Sequence, residues 1–504
     1  MRSVKIMMMG LVTCLVFMGC KNKSEDPFAM EAFDPYDNDL GKRIEEYHNV
    51  TSPNALNAKG GERSIYIDFS SGINSALKDT EIKDLINGCY NQLSGSGIIC
   101  LYKLGHHIVS LAECTDKSLP PDFYNAGTYG DNFAPIEAAV DSITRKKNDA
   151  LLITDFEEWQ GNEEQVSRPY LKPYFVKWLA EGNTIHFFIK PYSEGKTLKN
   201  IYFTVFSYGK PANPGMLSRI EAKFIGSSIT RYDLTNNAFS LFQKYPTEKS
   251  GGIAYGTKGS DRKKNIFDLK DGYLNGYKEN NSNFEFYPFG LDWKYINEGY
   301  AANQIPHFFS KLFIDLRNEN AYIYSDFDVK VYDVTDDFIK FSKCNEAGNH
   351  KPKLAKGNGG EDKFADDEKD NIAKTCYNPN GKIKDEWVYK PEHLSPVAET
   401  FVLNKELFSH NKVDHKDSVE LAVDFDSKFK IKNIANPDGI LRIDIVLNSV
   451  KPNFDNPLLD KFKWINSHDI PNVALYESIK NTLSEPAVMP SNKVIYSYYI
   501  KTLR

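Results

Sequence analysis

Cysteine is scarce in this chain, and apolar runs long enough to cross a membrane are missing. Seven cysteines occur among 504 residues, and no two of them form a Cys-x-x-Cys pair. A zinc site of the closely spaced kind is therefore not expected. The apolar run at residues 6–17 is too short to span a bilayer comfortably. We therefore expect a chain that does not thread through a membrane.

An excess of positive charge and the common catalytic motifs are missing as well. Lys and Arg total 62 against 68 Asp and Glu, which gives a formal net charge of −6, and no long basic cluster occurs. This balance argues against nucleic acid as a main partner. The chain also lacks G-x-S-x-G, H-E-x-x-H, P-loop and dinucleotide-binding signatures. No enzyme class is therefore indicated by a motif.

The first twenty residues have the pattern of a secretion signal. Arg2 and Lys5 form a positive start, the apolar run at 6–17 follows, and Gly19 and Cys20 end the segment. This ending resembles the lipobox of bacterial lipoproteins, and the resemblance implies that Cys20 becomes the acylated N-terminus. A lipid anchor then holds the chain on the outer membrane of the cell envelope, as in surface lipoproteins of Bacteroides-like bacteria. Ordinary signal cleavage is the alternative.

The remaining cysteines are odd in number, so at least one of them is expected to stay unpaired. They are Cys89, Cys100, Cys114, Cys344 and Cys376. The last two flank a charged, glycine-rich insertion. A disulfide that closes this loop and two separate buried thiols are both open interpretations.

Three segments follow the signal. Residues 21–60 are polar and lack periodicity, which predicts a flexible tether. Residues 61–230 alternate apolar strands with amphipathic helices, which predicts a three-layer α/β domain with a mostly parallel sheet. Residues 231–504 carry alternating strand patterns separated by turn residues, which predicts an antiparallel β-rich domain of the sandwich type. One helix, "VALYESIKNTL", is expected near its end.

Two acids end two strands of the predicted α/β domain. Asp68 follows "SIYI", and Asp155 follows "ALLIT". If these strands are parallel neighbours, both carboxylates lie at the same edge of the sheet. Two acids with hydroxyls and water form an oxygen-rich site, which suits a hard cation such as Mg²⁺ or Ca²⁺.

The segments "YIDFSSGINSAL", "NFAPIEAAVDSI" and "ALLITDFEEW" together resemble the von Willebrand factor A domain and its metal-ion-dependent adhesion site. The resemblance covers residues 61–230 and implies a metal held by Asp68, Ser70 and Asp155. Gly72 stands where the family has a second serine, and Ala134 stands where it has a threonine. The site is therefore incomplete, and the nearby hydroxyls of Ser71 and Thr128 are candidate additional ligands. In A domains that keep this site, an acidic group of the partner completes the metal coordination.

Each of these residues also has a purely structural interpretation. Asp68 or Ser70 could cap the following helix, and Asp155 could be a turn acid, with Glu157 and Glu158 on a solvated face. His106 and His107 are adjacent in strand-like sequence, so their side chains are expected on opposite faces and not on one metal.

The leading functional expectation is a surface lipoprotein that binds an extracellular or cell-envelope protein or glycan, with no catalytic residues. A metal-dependent hydrolase of the phosphoesterase type could use the same acids, because a bound cation can activate water. Such sites usually need further acids and a nearby Lys or His. A structural subunit of a surface assembly is the third expectation.

Overall fold

The structure is a computed structural model that describes most of the chain after residue 38. The described residues are 39–51, 63–95, 99–110, 119, 123, 125–129, 134–160, 163–209, 215–236, 240–243, 267–268, 284–292, 309–315, 320–349, 354–357, 359–364, 378–380, 384, 401–406, 418–425, 438–466 and 469–503. The predicted signal, Cys20, Cys114 and Cys376 lie outside this part. Cys89 is a free, buried thiol, which confirms that one cysteine stays unpaired, and Cys100 is disulfide-bonded.

The described helices are α1 (Leu40–Thr51), α2 (Ser71–Ala76), α3 (Thr80–Ser94), α4 (Ile136–Lys146), α5 (Lys172–Ala180), α6 (Met216–Phe224), α7 (Thr335–Asn349) and α8 (Ala474–Leu483). Short 3₁₀ helices lie at Ala126–Thr128 and Pro457–Phe462. None of the described helices is both long and apolar enough to cross a membrane.

The strands fall into two groups along the chain. The first group is β1 (Arg63–Asp68), β2 (Ile99–Leu104), β3 (Ile108–Ser110), β4 (Ala150–Thr154), β5 (Trp159–Gln160), β6 (Glu163–Glu164), β7 (Thr184–Glu194), β8 (Thr197–Ser207) and β9 (Thr230–Leu234). The second group is β10 (Ser240–Gln243), β11 (Phe267–Asp268), β12 (Phe284–Asp292), β13 (Phe309–Asp315), β14 (Tyr322–Asp333), β15 (Leu354–Lys356), β16 (Asp362–Phe364), β17 (Phe401–Leu403), β18 (Ser418–Phe425), β19 (Gly439–Pro452), β20 (Trp464–Ile465), β21 (Pro471–Asn472) and β22 (Lys493–Leu503).

The first group forms an α/β unit around a seven-stranded sheet with the order β3-β2-β1-β4-β8-β7-β9. Strand β1 pairs in parallel with β2 and with β4. The pairs β2–β3, β4–β8, β7–β8 and β7–β9 are antiparallel. The sheet is therefore mixed, and the prediction of a mostly parallel sheet is wrong. The cause is the hairpin of β7 and β8, which reverses the chain without a crossover helix.

Helices cover both faces of this sheet, so the unit has the three layers predicted. On one face, α4 and α5 pack against the side chains of Tyr66 and Leu152. On the other face, α2, α3 and α6 pack against Ile65 and Ile153. Successive strand residues point to opposite faces, so strands that are apolar at every position supply both cores.

The second group forms separate sheets, and none of its described strands joins the seven-stranded sheet. A four-stranded sheet has the order β10-β13-β18-β17, and a five-stranded sheet has the order β11-β12-β22-β19-β14. Most of the pairs are antiparallel, as expected, but β12 and β22 are parallel. The predicted helix is α8, and the sequence pattern missed the second helix of this region, α7.

Helix α1 corrects the prediction of an unstructured tether for part of residues 21–60. Ile44 and Tyr47 are fully buried in a small core that they share with Phe338 and Tyr499. The Nδ1 atom of His48 lies 3.0 Å from the hydroxyl oxygen of Tyr499. Helix α1 is therefore packed against the β-rich part of the chain.

The C-terminal part of the chain returns to the α/β unit. The ring of Phe462 stacks against that of Tyr202 with 5.8 Å between ring centroids, and the Tyr202 hydroxyl donates to the Lys461 carbonyl oxygen at 2.7 Å. Helix α8 packs beside α5, where the Leu171 N–H donates to the Ser478 hydroxyl at 3.3 Å. These contacts cover part of the α4–α5 face and tie the two groups of strands together.

Candidate functional site

The two predicted acids lie at the same edge of the seven-stranded sheet. Strands β1 and β4 are parallel neighbours, and Ile67 pairs with Ile153. Asp68 is the last residue of β1, and Asp155 follows Thr154, the last residue of β4. The register therefore places both carboxylates beyond the carboxyl ends of adjacent strands, as the sequence predicted.

Asp68 is fully buried, and hydrogen bonds fix both of its carboxylate oxygens. Oδ1 accepts from the Ser70 backbone N–H at 2.7 Å, and Oδ2 accepts from the Thr154 hydroxyl at 2.7 Å. Burial and then the nearby charge of Asp155 raise the pKa of Asp68 to about 7, against the smaller opposing effect of these hydrogen bonds. Both oxygens of the carboxylate are therefore held by hydrogen bonds, and no ion pair joins it to a positive side chain in the part of the chain that the structure describes.

Asp155 is also buried and lies against the start of helix α2. Its Oδ1 accepts from the Glu157 backbone N–H at 3.2 Å, and its Oδ2 accepts from the Tyr192 hydroxyl at 3.0 Å. Burial raises the pKa of Asp155, and the positive charge of Lys199 lowers it part of the way back. The ionised form is therefore disfavoured in both Asp68 and Asp155. A cation bound between such acids would favour their ionised form.

Gly72 has a spatial reason to be glycine. A Cβ atom at this position would lie 2.3 Å from Oδ2 of Asp155 and 3.4 Å from the Tyr192 hydroxyl oxygen. The Asp155 carboxylate therefore takes the room that a side chain at position 72 would need. A serine at this position is excluded unless Asp155 moves.

The turn between Asp155 and Glu157 carries backbone strain. Phe156 has a φ of 60°, in the left-handed region that residues with a side chain rarely adopt. Its N–H donates to the Thr154 hydroxyl at 3.0 Å, and its carbonyl oxygen accepts from the Tyr170 hydroxyl at 3.1 Å. Such strain costs about 1–3 kcal/mol and is concentrated at functional sites.

Further charged residues, which the sequence analysis did not place at the site, lie beside Asp155. The Lys199 ammonium group forms ion pairs with Glu157 and with Glu194, and the Lys199 side chain is only 5% exposed. Burial and the charge of Asp155 raise the pKa of Glu157 to about 8, although Lys199 opposes this. The interpretation of Glu157 as part of a solvated face is therefore wrong.

Ser70 carries a buried hydroxyl close to the Asp68 carboxylate. The residue is 6% exposed, and its Oγ atom has no hydrogen-bond partner among the described residues. Ser70 is the N-cap residue of α2, but its side chain makes no capping hydrogen bond. The hydroxyl lies near enough to Asp68 to lower the pKa of that acid slightly, as a weak hydrogen-bond donor does, but it forms no hydrogen bond of normal geometry with a described residue. A buried hydroxyl without a partner is costly, and a cation beside Asp68 would satisfy it.

The two candidate additional ligands are not brought to the acids by any described contact. Ser71 is exposed at the start of α2. The Thr128 hydroxyl donates to the Asn125 carbonyl oxygen at 2.7 Å, within its own turn. Ala134 has no oxygen in its side chain, so the position at which the resemblance expects a threonine contributes no hydroxyl.

Glu158 has a structural role beside the site. It forms a parallel bridge with Ala134, and its Oε2 accepts from the Glu137 backbone N–H at 3.0 Å at the start of helix α4. Burial raises the pKa of Glu158 to about 7. Glu158 is 8% exposed, so it too is buried and does not lie on a solvated face.

His106 and His107 lie in the turn between β2 and β3 and are exposed, so they are not strand residues as the sequence suggested. Among the described residues, no group of three or more His, Cys, Asp or Glu side chains is arranged to hold a metal. The set that fits a hard cation is smaller: two carboxylates, from Asp68 and Asp155, and the unpartnered hydroxyl of Ser70. The remaining coordination positions would fall to water or to a partner.

Comparison of the chain with protein-family models, with curated proteins and with solved structures found no match.

Proposed function

We propose that this chain is a lipid-anchored surface protein that binds a protein or glycan through a divalent-cation site at Asp68, Ser70 and Asp155. The proposal treats the α/β unit as an A-like domain and the β-rich part, of the sandwich type, as its support. The metal is Mg²⁺ or Ca²⁺, because all the candidate ligand atoms are oxygens. The partner supplies an acidic group to the incomplete site.

One observation carries the proposal. Two carboxylates from adjacent parallel strands are buried side by side, next to a buried hydroxyl that lacks a hydrogen-bond partner. Two buried acids at one sheet edge are costly in a purely structural role, because burial raises the pKa of both and the charge of Asp155 raises the pKa of Asp68 further. A cation removes this cost and uses the free hydroxyl.

Melting curves test the cation site. Wild type in Mg²⁺ or Ca²⁺ is expected to melt at a higher temperature than wild type in EDTA, since an ion that binds only the folded state stabilises it by about 2.7 kcal/mol at a hundredfold excess over Kd. Asp155→Ala should abolish this difference. Identical wild-type curves in all three conditions would reject the cation site. A pull-down from an envelope extract, with and without EDTA, then tests whether partner binding follows the cation.

The lipid anchor is tested separately. Cys20→Ser should move the protein from the membrane fraction to the soluble fraction, because an acyl chain is the proposed attachment. Unchanged fractionation and migration would contradict the anchor and leave the cation site untouched.

A hydrolase is the second candidate, and a specific arrangement favours it. A phosphoesterase-like site needs more acids than Asp68 and Asp155, together with a Lys or His. Glu157 and Lys199 lie beside Asp155 and meet that requirement. Hydrolysis of a generic phosphodiester, such as bis(p-nitrophenyl) phosphate, in the presence of Mg²⁺ or Mn²⁺ tests this function. Activity that Asp155→Ala removes would favour the enzyme, whereas none above background would favour the binding protein.

A further inference from the structure

A buried lysine side chain lies beside the acids at this edge of the sheet. Lys199 is buried, and its ammonium group donates to Oε1 of Glu157 and to Oε2 of Glu194. It also acts on Asp155, whose pKa its charge lowers. The ammonium is therefore the counter-charge for the Asp155 end of the cluster.

The antiparallel hairpin of β7 and β8 brings this lysine to the site. Tyr192 of β7 pairs directly with Lys199 of β8, and paired residues of an antiparallel ladder share one face of the sheet. Tyr192 donates to Asp155 from that face. Glu194 lies at the same end of the hairpin and forms an ion pair with Lys199. The hairpin end therefore places two charged side chains beside Asp155.

We propose that Lys199 is a resident cation that limits how tightly the site holds a divalent ion. The inference rests on the proposed function, because it concerns the same carboxylates. Two effects act in the same direction. The fixed positive charge repels an incoming Mg²⁺ or Ca²⁺, and this repulsion is strong in a buried site of low dielectric constant. The ion pair also engages Glu157, whose oxygens are then less available to the metal.

The resident charge has a second consequence. Because Lys199 already compensates part of the negative charge, the folded chain does not need a metal to hold Asp155 and Glu157 together. The site is thereby suited to weak cation binding that strengthens when a partner adds an acidic group. A lysine in this position makes occupancy of the site depend on the partner.

Titration calorimetry of the full chain with MgCl₂ and with CaCl₂ tests the inference. Lys199→Met removes the charge and keeps a long side chain, and it should lower the Kd for the ion by about tenfold or more. Lys199→Arg keeps the charge and should keep the wild-type Kd. Lys190→Met is the matched control, since Lys190 is a buried lysine of the same sheet that is paired with Glu81, at 2.6 Å, and Ser228 instead. It should also bind as wild type does.

The outcomes separate this inference from the function on which it rests. If wild type binds an ion and Lys199→Met binds it no more tightly, the role of Lys199 is overturned and the cation site stands. If only Lys199→Met binds, the inference is supported because the lysine keeps the ion out of the wild-type site, and the proposed cation-dependent function of the wild-type chain falls. If no variant binds either ion, both proposals fall. Should Lys199→Met not fold, Lys199→Gln, whose amide still donates a hydrogen bond, takes its place with the same expected result.

Discussion

The hydroxyl of Thr154 donates a hydrogen bond of 2.7 Å to the carboxylate of Asp68, across the parallel strands β4 and β1. The hydroxyl oxygen of Thr154 also accepts a hydrogen bond from the Phe156 N–H at 3.0 Å. One side chain thus joins the two strand ends and fixes the strained turn that follows Asp155. The hydroxyl of Thr154 is thus both donor and acceptor, and the residue is fully buried.

Thr154→Val is therefore expected to lower the free energy of unfolding by about 1–3 kcal/mol, because it leaves an oxygen of Asp68 and the N–H of Phe156 without a partner in a buried site. Thr154→Ser keeps the hydroxyl and should retain most of this stability. Urea unfolding of the two variants gives the comparison. Equal stability of the valine and serine variants would show that the hydrogen bonds contribute little.

Gly72→Ala should also destabilise the protein, for a steric reason. The added Cβ would meet Oδ2 of Asp155 at 2.3 Å, and overpacking of a tight site costs about 1–3 kcal/mol. Gly95→Ala is the control, because its Cβ would have only an ordinary contact of 3.4 Å with the Asn91 carbonyl oxygen. Urea unfolding should show a loss for Gly72→Ala alone. A neutral Gly72→Ala would mean that Asp155 moves away at little cost.

The positions of Asp68 and Asp155 could be predicted from the sequence. Each follows a short run of buried apolar residues, and such runs identify strands that helices cover on both faces. Once two such strands are parallel neighbours, their ends must meet at one edge. The prediction needed no knowledge of the rest of the sheet, and the pairing of β1 with β4 confirms it.

The direction of β8 was missed, although the sequence contained a signal. Gly195 and Lys196 separate two long strand-like segments, and Gly195 has a φ of 61°. A two-residue turn with glycine at the left-handed position is typical of a hairpin. The expectation of a uniform α/β alternation overrode this local signal, and with it the approach of Lys199 to Asp155.

Charged residues in the site were missed for a different reason. Glu157 and Lys199 look in sequence like solvated residues, because charged side chains are seldom buried. Only the three-dimensional pairing of a strand end with a hairpin shows that the buried Lys199 ammonium group contacts the largely buried Glu157 carboxylate. In α1, by contrast, the sequence did contain a signal, because Leu40, Ile44 and Tyr47 follow helical spacing. The pattern covers only two turns within a polar segment, and it was therefore missed.

The packing of helix α1 can be tested at its most buried aromatic side chain. Tyr47→Ala should lower the free energy of unfolding by about 3–5 kcal/mol, since it removes a fully buried aromatic ring. Its ring contacts Phe338 and Tyr499 at centroid distances of 5.7 and 6.3 Å. Lys42→Ala, on the exposed face of the same helix, should be neutral. Equal effects in thermal or urea unfolding would contradict the packing of α1.

Glu158 gives a prediction about pH, and its sign follows from the direction of the shift. Burial raises the pKa of Glu158 from 4.5 to about 7 in the folded protein. Below pH 4.5 the group is protonated in both the folded and the unfolded chain, so it imposes no penalty. Between these values the unfolded chain releases the proton first, and stability falls as the pH rises. Above pH 7 the loss is complete, at about 3 kcal/mol.

Glu158→Gln should remove this loss, because an amide stays neutral and its oxygen still accepts from the Glu137 N–H. The difference in free energy of unfolding between Glu158→Gln and wild type is therefore expected to grow in favour of the variant from pH 4 to pH 8, by about 3 kcal/mol. Glu163→Gln, at an exposed position, should show no such trend. Urea unfolding at pH 4, 6 and 8 measures all three proteins. A constant difference across this range would mean that Glu158 ionises in the folded protein as readily as in the unfolded chain.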